Sequence, residues 1–429
     1  MSYDWFSIIF TFAIFVTIMI IFSRENADYV AFSLLGAALS SLVTFFRFPE
    51  AHIIESIEWK PLIFILSMQV IVLIAERHKI FQWVAVKSLH LTKGNHRIFF
   101  YLICIIGTFT ASIIADVTVS IIFVPLVIRA CRILKINPAP YLYGITITIN
   151  IGSIFTPFSS SENILISSSF DLSVQWFFMN TGIFVILALI GTLILLDFFL
   201  LRKNSPPSES QKNILLEIMN PELVIIDRKQ FITNSIYFII VILGFVFMSD
   251  YAFLVALFGA IIMSLLNRNQ FTDNLTKIDW KVIFFFISLF LIIGNMIDNG
   301  TFALILSALQ GFSGGNLWVL SFSVLIITSL LSGFLANSPT AIIGINLLNE
   351  MFNFNPPAII IIAFLLGINL GGNLLPQGAA CDVMTLNLAM KHKVEGFTYK
   401  SLLRTGGAFA VVHIVMCILY LTGYYFVVY

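Results

Sequence analysis

The chain has 429 residues, 59% of them hydrophobic and only 10% charged, with a formal net charge of +1. Soluble domains carry about 25% charged residues, so a soluble fold of this size could not hide so much apolar surface, and the bilayer must be the solvent for most of it. Near-neutral charge argues against a nucleic-acid partner, and the scattered cysteines Cys104, Cys131, Cys381 and Cys417 show neither metal spacing nor a disulfide framework.

Apolar runs near the ~20 residues needed to span a bilayer recur along the whole chain. They predict spans over 5–22, 28–46, 61–76, 140–166, 174–201, 232–248, 250–267, 282–297, 357–390 and 402–427. The first run lacks a basic leader and a small-residue cleavage site, so it reads as a retained helix. Residues 79–93 set Lys79, Lys87, His90 and Lys93 among Ile80, Phe81, Trp83 and Val84, the pattern of a short amphipathic helix on the cytoplasmic surface, with a plain connector as the alternative. Segments 97–135 and 317–347 are each interrupted near the middle by small or polar residues. The long polar stretch from Arg202 to Lys229, with Pro206-Pro207, reads as a linker over 202–231 between halves 1–201 and 232–429. Trp5, Trp59, Trp83, Trp176 and Trp280 fall near span ends, as interfacial anchors do. His413, alone within the last span, is expected to be packed and hydrogen-bonded to a neighbour.

The halves repeat each other. Ile57-Glu58-Trp59-Lys60 is matched by Ile278-Asp279-Trp280-Lys281, and the break at Ala115-Asp116-Val117-Thr118 by Ala336-Asn337-Ser338-Pro339. Asn150-Ile151-Gly152 through Pro157 to Asn163 is matched by Asn369-Leu370-Gly371 through Pro376 to Asp382. Trp280 follows Trp59 by 221 positions, and Asn369 follows Asn150 by 219. With the N-terminus outside, and each interrupted segment returning to the side it entered from, all of the 23 Lys and Arg except Arg47 and Lys60 fall inside. The C-terminus then also lies outside, and the repeats are inverted. Charge does not distinguish a re-entrant hairpin from two full spans. The arms, about 16 residues each, favour hairpins. The expected architecture is therefore all-α: about 10 spans plus 2 hairpins.

Irregular backbone at membrane depth is tolerated only where protein or a wet cavity surrounds it. The tips at 115–120 and 336–340 and the broken helices at 150–163 and 369–382 are thus the candidate binding segments. Their polar residues are Asp116, Thr118, Asn150, Ser153, Thr156, Ser160, Glu162, Asn163, Asn337, Ser338, Thr340, Asn369, Asn373 and Asp382, beside Gly152, Gly371 and Gly372. Asp116, Glu162 and Asp382 are the carboxylates placed deep in the membrane, where insertion costs roughly 2.5–3.5 kcal/mol each. No buried Lys or Arg pairs with them, so the expected neutraliser is a proton or a cation such as sodium, with Asp116, Asn150, Asn337 and Asp382 as candidate ligands. Nothing supports an enzyme: the chain has no Walker A sequence, no GxSxG and no His-Glu-x-x-His. A channel or a non-transporting membrane scaffold is the reading from another class; the inverted repeats and midplane breaks argue against it, though selectivity filters also use broken backbone.

Asn150-Ile151-Gly152-Ser153-Ile154-Phe155-Thr156-Pro157, ending at Asn163-Ile164-Leu165, resembles the signature N-I-G-G-T-A-T-P-I-G-D-P-P-N-I-L. Leu370-Gly371-Gly372-Asn373 through Gly378 to Asp382-Val383 resembles L-G-G-N-G-T-L-I-G-A-S-A-N-V, and the tips resemble N-V-T and N-I-P. These are signatures of the ion transporter superfamily, which holds arsenite permeases, sodium/proton antiporters, the melanocyte P protein, and citrate and dicarboxylate carriers. The resemblance covers about residues 28–427. It implies a scaffold part, a mobile part that moves in an elevator-like cycle, and a homodimer in several relatives. It also implies that the tips and broken helices bind substrate and coupling ion. The chain departs from the pattern at Ala115 and Ala336, where many relatives have aspartate, at Asp382, where they have asparagine, and at Ser159-Ser160-Ser161-Glu162 in place of G-D-P-P. The Ser-Asn-Thr tip of carboxylate carriers is absent. The expectation is an ion-coupled carrier of a small anion or oxyacid in the plasma membrane, with a sodium/proton antiporter and a di- or tricarboxylate carrier as alternatives.

Overall fold

In lipid every backbone N–H and C=O must find its partner within the protein, which leaves helices as the building unit for a chain of this composition. The computed structural model describes residues 4–22, 28–48, 50–51, 53–203, 206–305 and 316–429, with no strand among them. In chain order the helices are α1 (Trp5–Phe22), α2 (Tyr29–Arg47), α3 (Trp59–Arg77), α4 (Ile80–Leu91), α5 (His96–Ala111), α6 (Asp116–Ile133) and α7 (Ala139–Gly152). Then come α8 (Ser161–Ser169), α9 (Val174–Phe199), α10 (Glu209–Ile218), α11 (Arg228–Phe247), α12 (Ala252–Leu266), α13 (Phe271–Lys277) and α14 (Trp280–Asp298). The chain closes with α15 (Leu317–Leu335), α16 (Asn337–Phe352), α17 (Ala358–Gly371), α18 (Ala380–Lys391) and α19 (Tyr399–Val428).

Among the described residues, eight helices are long and apolar enough to cross a membrane alone: α1, α2, α3, α9, α11, α14, α15 and α19. Both broken helices appear, as α7 with α8 and as α17 with α18, and both interrupted segments are helix–turn–helix units. Three features differ from the sequence reading. The polar linker is not featureless, because Ser208 and Gln211 form a capping box that starts α10. The span at 250–267 stops at Leu266, and the chain bends by 92° into the segment that carries α13. The first arm of the second interrupted segment, α15, has 19 residues rather than about 16, enough for a full crossing.

Lipid-facing and protein-facing sides are sorted by side-chain chemistry. On α9 the exposed stripe is Ile183, Ile186, Leu187, Ile190 and Ile194, while Thr181, Ala188 and Thr192 are buried. Polar side chains join spans from within: Asn295 donates to Ser40 (3.0 Å) and Ser41 (3.1 Å) of α2, and Asn299 donates to Thr11 (2.8 Å) of α1. His413 meets Thr192 at 2.8 Å, joining α19 to α9.

The helices pack in matched pairs, most of them across the two halves. α2 packs on α14 and α3 on α12; α5 packs on α7 and α15 on α17; α6 packs on α18 and α8 on α16. Glycine sets the closest of these approaches. A Cβ at Gly152 of α7 would lie 2.2 Å from the Thr108 carbonyl oxygen of α5, and one at Gly144 would lie 2.7 Å from Cys104 Sγ. In the other half a Cβ at Gly371 would lie 2.4 Å from the Ser329 carbonyl oxygen, and one at Gly367 would lie 2.0 Å from Thr328 Oγ1.

Helix ends show a second regularity. α6, α8 and α18 each stop at a residue in the left-handed region, Lys135 (φ 53), Asp171 (φ 50) and Lys393 (φ 51). At each the next N–H closes a Schellman bond: Ile136 to Cys131 O, Leu172 to Ser167 O and Val394 to Ala389 O, all at 2.9 Å. The turn between α15 and α16 is the single residue Ala336, at φ 70 and ψ 165, a region that glycine alone occupies freely.

Two outcomes follow from this packing. Gly367→Val drives a branched side chain into Thr328 and is expected to leave little monodisperse protein after detergent extraction, as read by fluorescence-detected size exclusion; wild-type yield would contradict the close approach. Ala336→Gly releases a strained backbone and is expected to stabilise the purified protein by about 1 kcal/mol, net of the entropy glycine adds to the unfolded chain. A thermal midpoint that stays or falls would show that the tip is unstrained.

Candidate functional site

Four helices begin inside the protein, and they begin in two pairs. α6 and α18 lie together, as do α8 and α16. Each pair joins the second arm of one half's hairpin to the second half-helix of the other half's broken helix. A helix start leaves its first N–H groups without intrahelical partners and carries a partial positive charge. All three deep carboxylates lie in such first turns: Asp116 opens α6, Glu162 is second in α8 and Asp382 third in α18.

At the α6/α18 pair, Asp116 Oδ1 accepts from the Val117 N–H at 2.8 Å. The Cys381 thiol lies between acids, interacting with both Asp116 and Asp382. It also donates to Asn150 Oδ1 at 3.0 Å. Thr146 Oγ1 donates to Asp382 Oδ1, and Asn150 Nδ2 donates to Asn373 Oδ1 at 2.8 Å. Ser120 donates to the Cys381 carbonyl at 3.4 Å, tying the two helices one turn further along.

At the α8/α16 pair, Glu162 Oε1 accepts from Asn337 Nδ2 at 3.0 Å, and Oε2 accepts from Ser161 (3.3 Å) and Ser338 (3.4 Å). Ser332 donates to Asn337 Oδ1 at 2.5 Å. Asn369 Nδ2 donates to Asn163 Oδ1 at 3.1 Å. Asn163 Nδ2 in turn bonds the Ser153 and Thr156 carbonyls at 2.5 and 3.2 Å, closing the loop of the first broken helix.

The two clusters mirror each other by position in the repeat. Asn150 reaches the α18 acid while its counterpart Asn369 reaches Asn163 of α8. Asp116 meets Cys381 while its counterpart Asn337 meets Glu162. One cluster carries its acid on the tip and again on the half-helix; the other carries an amide on the tip and an acid on the half-helix.

The remaining candidates mostly hold the backbone. Ser153 donates to the Ile149 carbonyl (3.2 Å), Thr340 to Ala336 (2.9 Å) and Thr156 to Ser112, and Ser160 caps α8 by accepting from the Asn163 N–H (3.4 Å). Thr118 lies half-buried in the first turn of α6. Gly152 and Gly371 face the carbonyls of Thr108 and Ser329, while a Cβ at Gly372 would lie 3.2 Å from Asn337 Oδ1. The proposed sodium ligands divide: Asn150, Asp382 and Asp116 surround Cys381, whereas Asn337 stands with Glu162 in the other cluster. Among the described residues no group of three His, Cys, Asp or Glu side chains has metal-site geometry.

Two buried amide atoms, Asn369 Oδ1 and Asn373 Nδ2, have no hydrogen-bond partner among the described residues. Both belong to the second break, and an unpaired buried polar atom costs about 1–3 kcal/mol unless water or a solute meets it. Thr146 and Ser332 were missed as site residues. Thr146 stands four positions before Asn150, on the same helix face, which is the signal that marks it.

The sequence matches the family described as citrate transporters over residues 17–351 and 254–428. A 46 kDa membrane protein of Mycobacterium leprae is 22% identical over 418 residues, covering 95% of this chain and 96% of that one. An uncharacterized transporter of Mycobacterium tuberculosis is 23% identical over 430 residues, covering 96% and 98%. The arsenical pump membrane protein of Escherichia coli is 23% identical over 412 residues, covering 92% and 94%. With a family match running through most of its length and at least eight helices fit to cross a bilayer, this chain belongs to the citrate transporter family and is a multi-pass membrane transporter.

Proposed function

We propose that the protein is a secondary active carrier of a small anion or oxyacid, coupled to an ion, that works by an elevator-type movement of the site-bearing helices. The observation that carries this is the pairing of helix starts from opposite halves around Asp116, Cys381 and Asp382 and around Glu162 and Asn337. The exchanged packing supports reading 1–201 and 232–429 as inverted repeats about a 202–231 connection. Both termini outside, a plasma-membrane location and a homodimer belong to the same reading. The solutes printed in the names, citrate for the family and an arsenical for the Escherichia coli relative, support the substrate class.

The coupling logic follows from electrostatics. An anionic solute and the resident carboxylates want the same N–H donors at the helix starts. Among the described residues no lysine or arginine joins the clusters, so solute and ionised acid together would place several negative charges in one buried site. Protonating the acids, or bringing a sodium ion, removes the conflict. Solute and cation then bind together and leave together.

The carboxylates without basic partners also favour a second reading, sodium/proton antiport, in which the acids themselves are the transported sites. Proteoliposomes holding a pH dye separate the two. The expected outcome is that citrate or arsenite entry carries protons or needs sodium. Asp116→Asn should then preserve downhill solute flux while lowering ion-driven accumulation by about tenfold. Proton flux that needs only sodium, and that disappears in Asp116→Asn, would establish the antiporter instead. A citrate response without an arsenite response would narrow the carrier to tricarboxylates.

A further inference from the structure

A cavity of about 300 Å³, lined by none of the side chains that form the two clusters, lies between the site-bearing helix α8 and the starts of α3 and α12. Its buried end is aromatic, formed by Phe64 and Phe158. Its exposed end carries the Lys60 ammonium, the Asp171 carboxylate and the hydroxyls of Ser168 and Ser249. Lys60 opens the α3 wall and Asp171 terminates α8, so the two charges come from opposite walls. They line one cavity without pairing with each other, and neither has an ion-pair partner among the described residues.

We infer that this cavity binds a zwitterion, with a phosphate or carboxylate on Lys60, an ammonium on Asp171, and attached methylenes over the aromatic end. One opposite charge on each wall fits neither a simple anion nor a simple cation, because either would meet a like charge across the gap. A molecule carrying both signs satisfies both walls. The volume equals roughly ten water molecules, room for a phosphoethanolamine-sized group. Two sources offer that chemistry, a phosphatidylethanolamine headgroup and a free zwitterionic solute. Trp59, beside Lys60 and 54% exposed, places this rim at the level where tryptophan meets lipid headgroups and favours the lipid. A ligand bridging the walls fastens α8, and with it Glu162, to α3 and α12.

The test is thermal unfolding of the full-length protein in detergent micelles, with phosphatidylethanolamine, phosphatidylglycerol or soluble phosphoethanolamine added. Lys60→Gln and Asp171→Asn remove one charge each, and asparagine keeps the left-handed stop of α8. Phosphatidylethanolamine is expected to raise the wild-type midpoint by about 2–4 °C, to give less than half that shift in either variant, and to exceed phosphatidylglycerol. The same variant-dependent shift from phosphoethanolamine would assign the site to a free solute. Equal shifts from the two lipids, or variants that respond as wild type does, would overturn the proposal. No arm depends on transport, so the result stands apart from the substrate reading.

Discussion

A helix that starts in the middle of a membrane protein leaves several N–H groups with nothing to bond. The whole arrangement rests on satisfying them. Here four helices start in the interior. Two starts are met by side-chain acceptors, Asp116 for the Val117 N–H and Ser160 for that of Asn163, and three carry an acid in the first turn, Asp116, Glu162 and Asp382. The carboxylates are therefore structural and chemical at once. They offset the partial positive charge of those helix starts, and on the proposed reading they set the condition under which a solute anion is admitted.

The position of the clusters is fixed one level down, by helix contacts that side chains would forbid. Gly152 and Gly371 bring α7 onto α5 and α17 onto α15 at backbone distance, so that each broken helix ends beside the first arm of its own hairpin. Each tip then turns across to the other half. Because Asn150 and Asn369 leave the last turn before their breaks and cross to Cys381 and Asn163, neither site can form from one half alone.

Much of this was legible in the chain. Gly, Pro, Asn and Ser inside apolar runs marked all four breaks within a few residues, since few other patterns interrupt a membrane helix. The repeat offset showed which positions correspond. It did not show which tip meets which break, because Asn337 and Glu162 are far apart in the chain and only packing joins them. Position in the repeat groups Asn337 with Asp116, and packing separates them. Gly152, Gly371 and Gly372 stand in the sequence among the candidate ligand-facing residues, whereas Gly152 and Gly371 bring helices together. α10 is hidden among polar residues although Ser208 and Gln211 spell its start, because a short amphipathic helix leaves no long apolar run.

The left-handed stops at Lys135 and Lys393 have a further consequence. Glycine would end those helices with less strain. Lysine costs about 1–2 kcal/mol of backbone energy at such a position, yet it adds the positive charge by which loops are sorted between the two faces of a membrane. The energy of ending a helix and the information that orients the chain during insertion are thus held by the same residues. A variant made more robust by glycine at these stops would have a weaker instruction about which way to face.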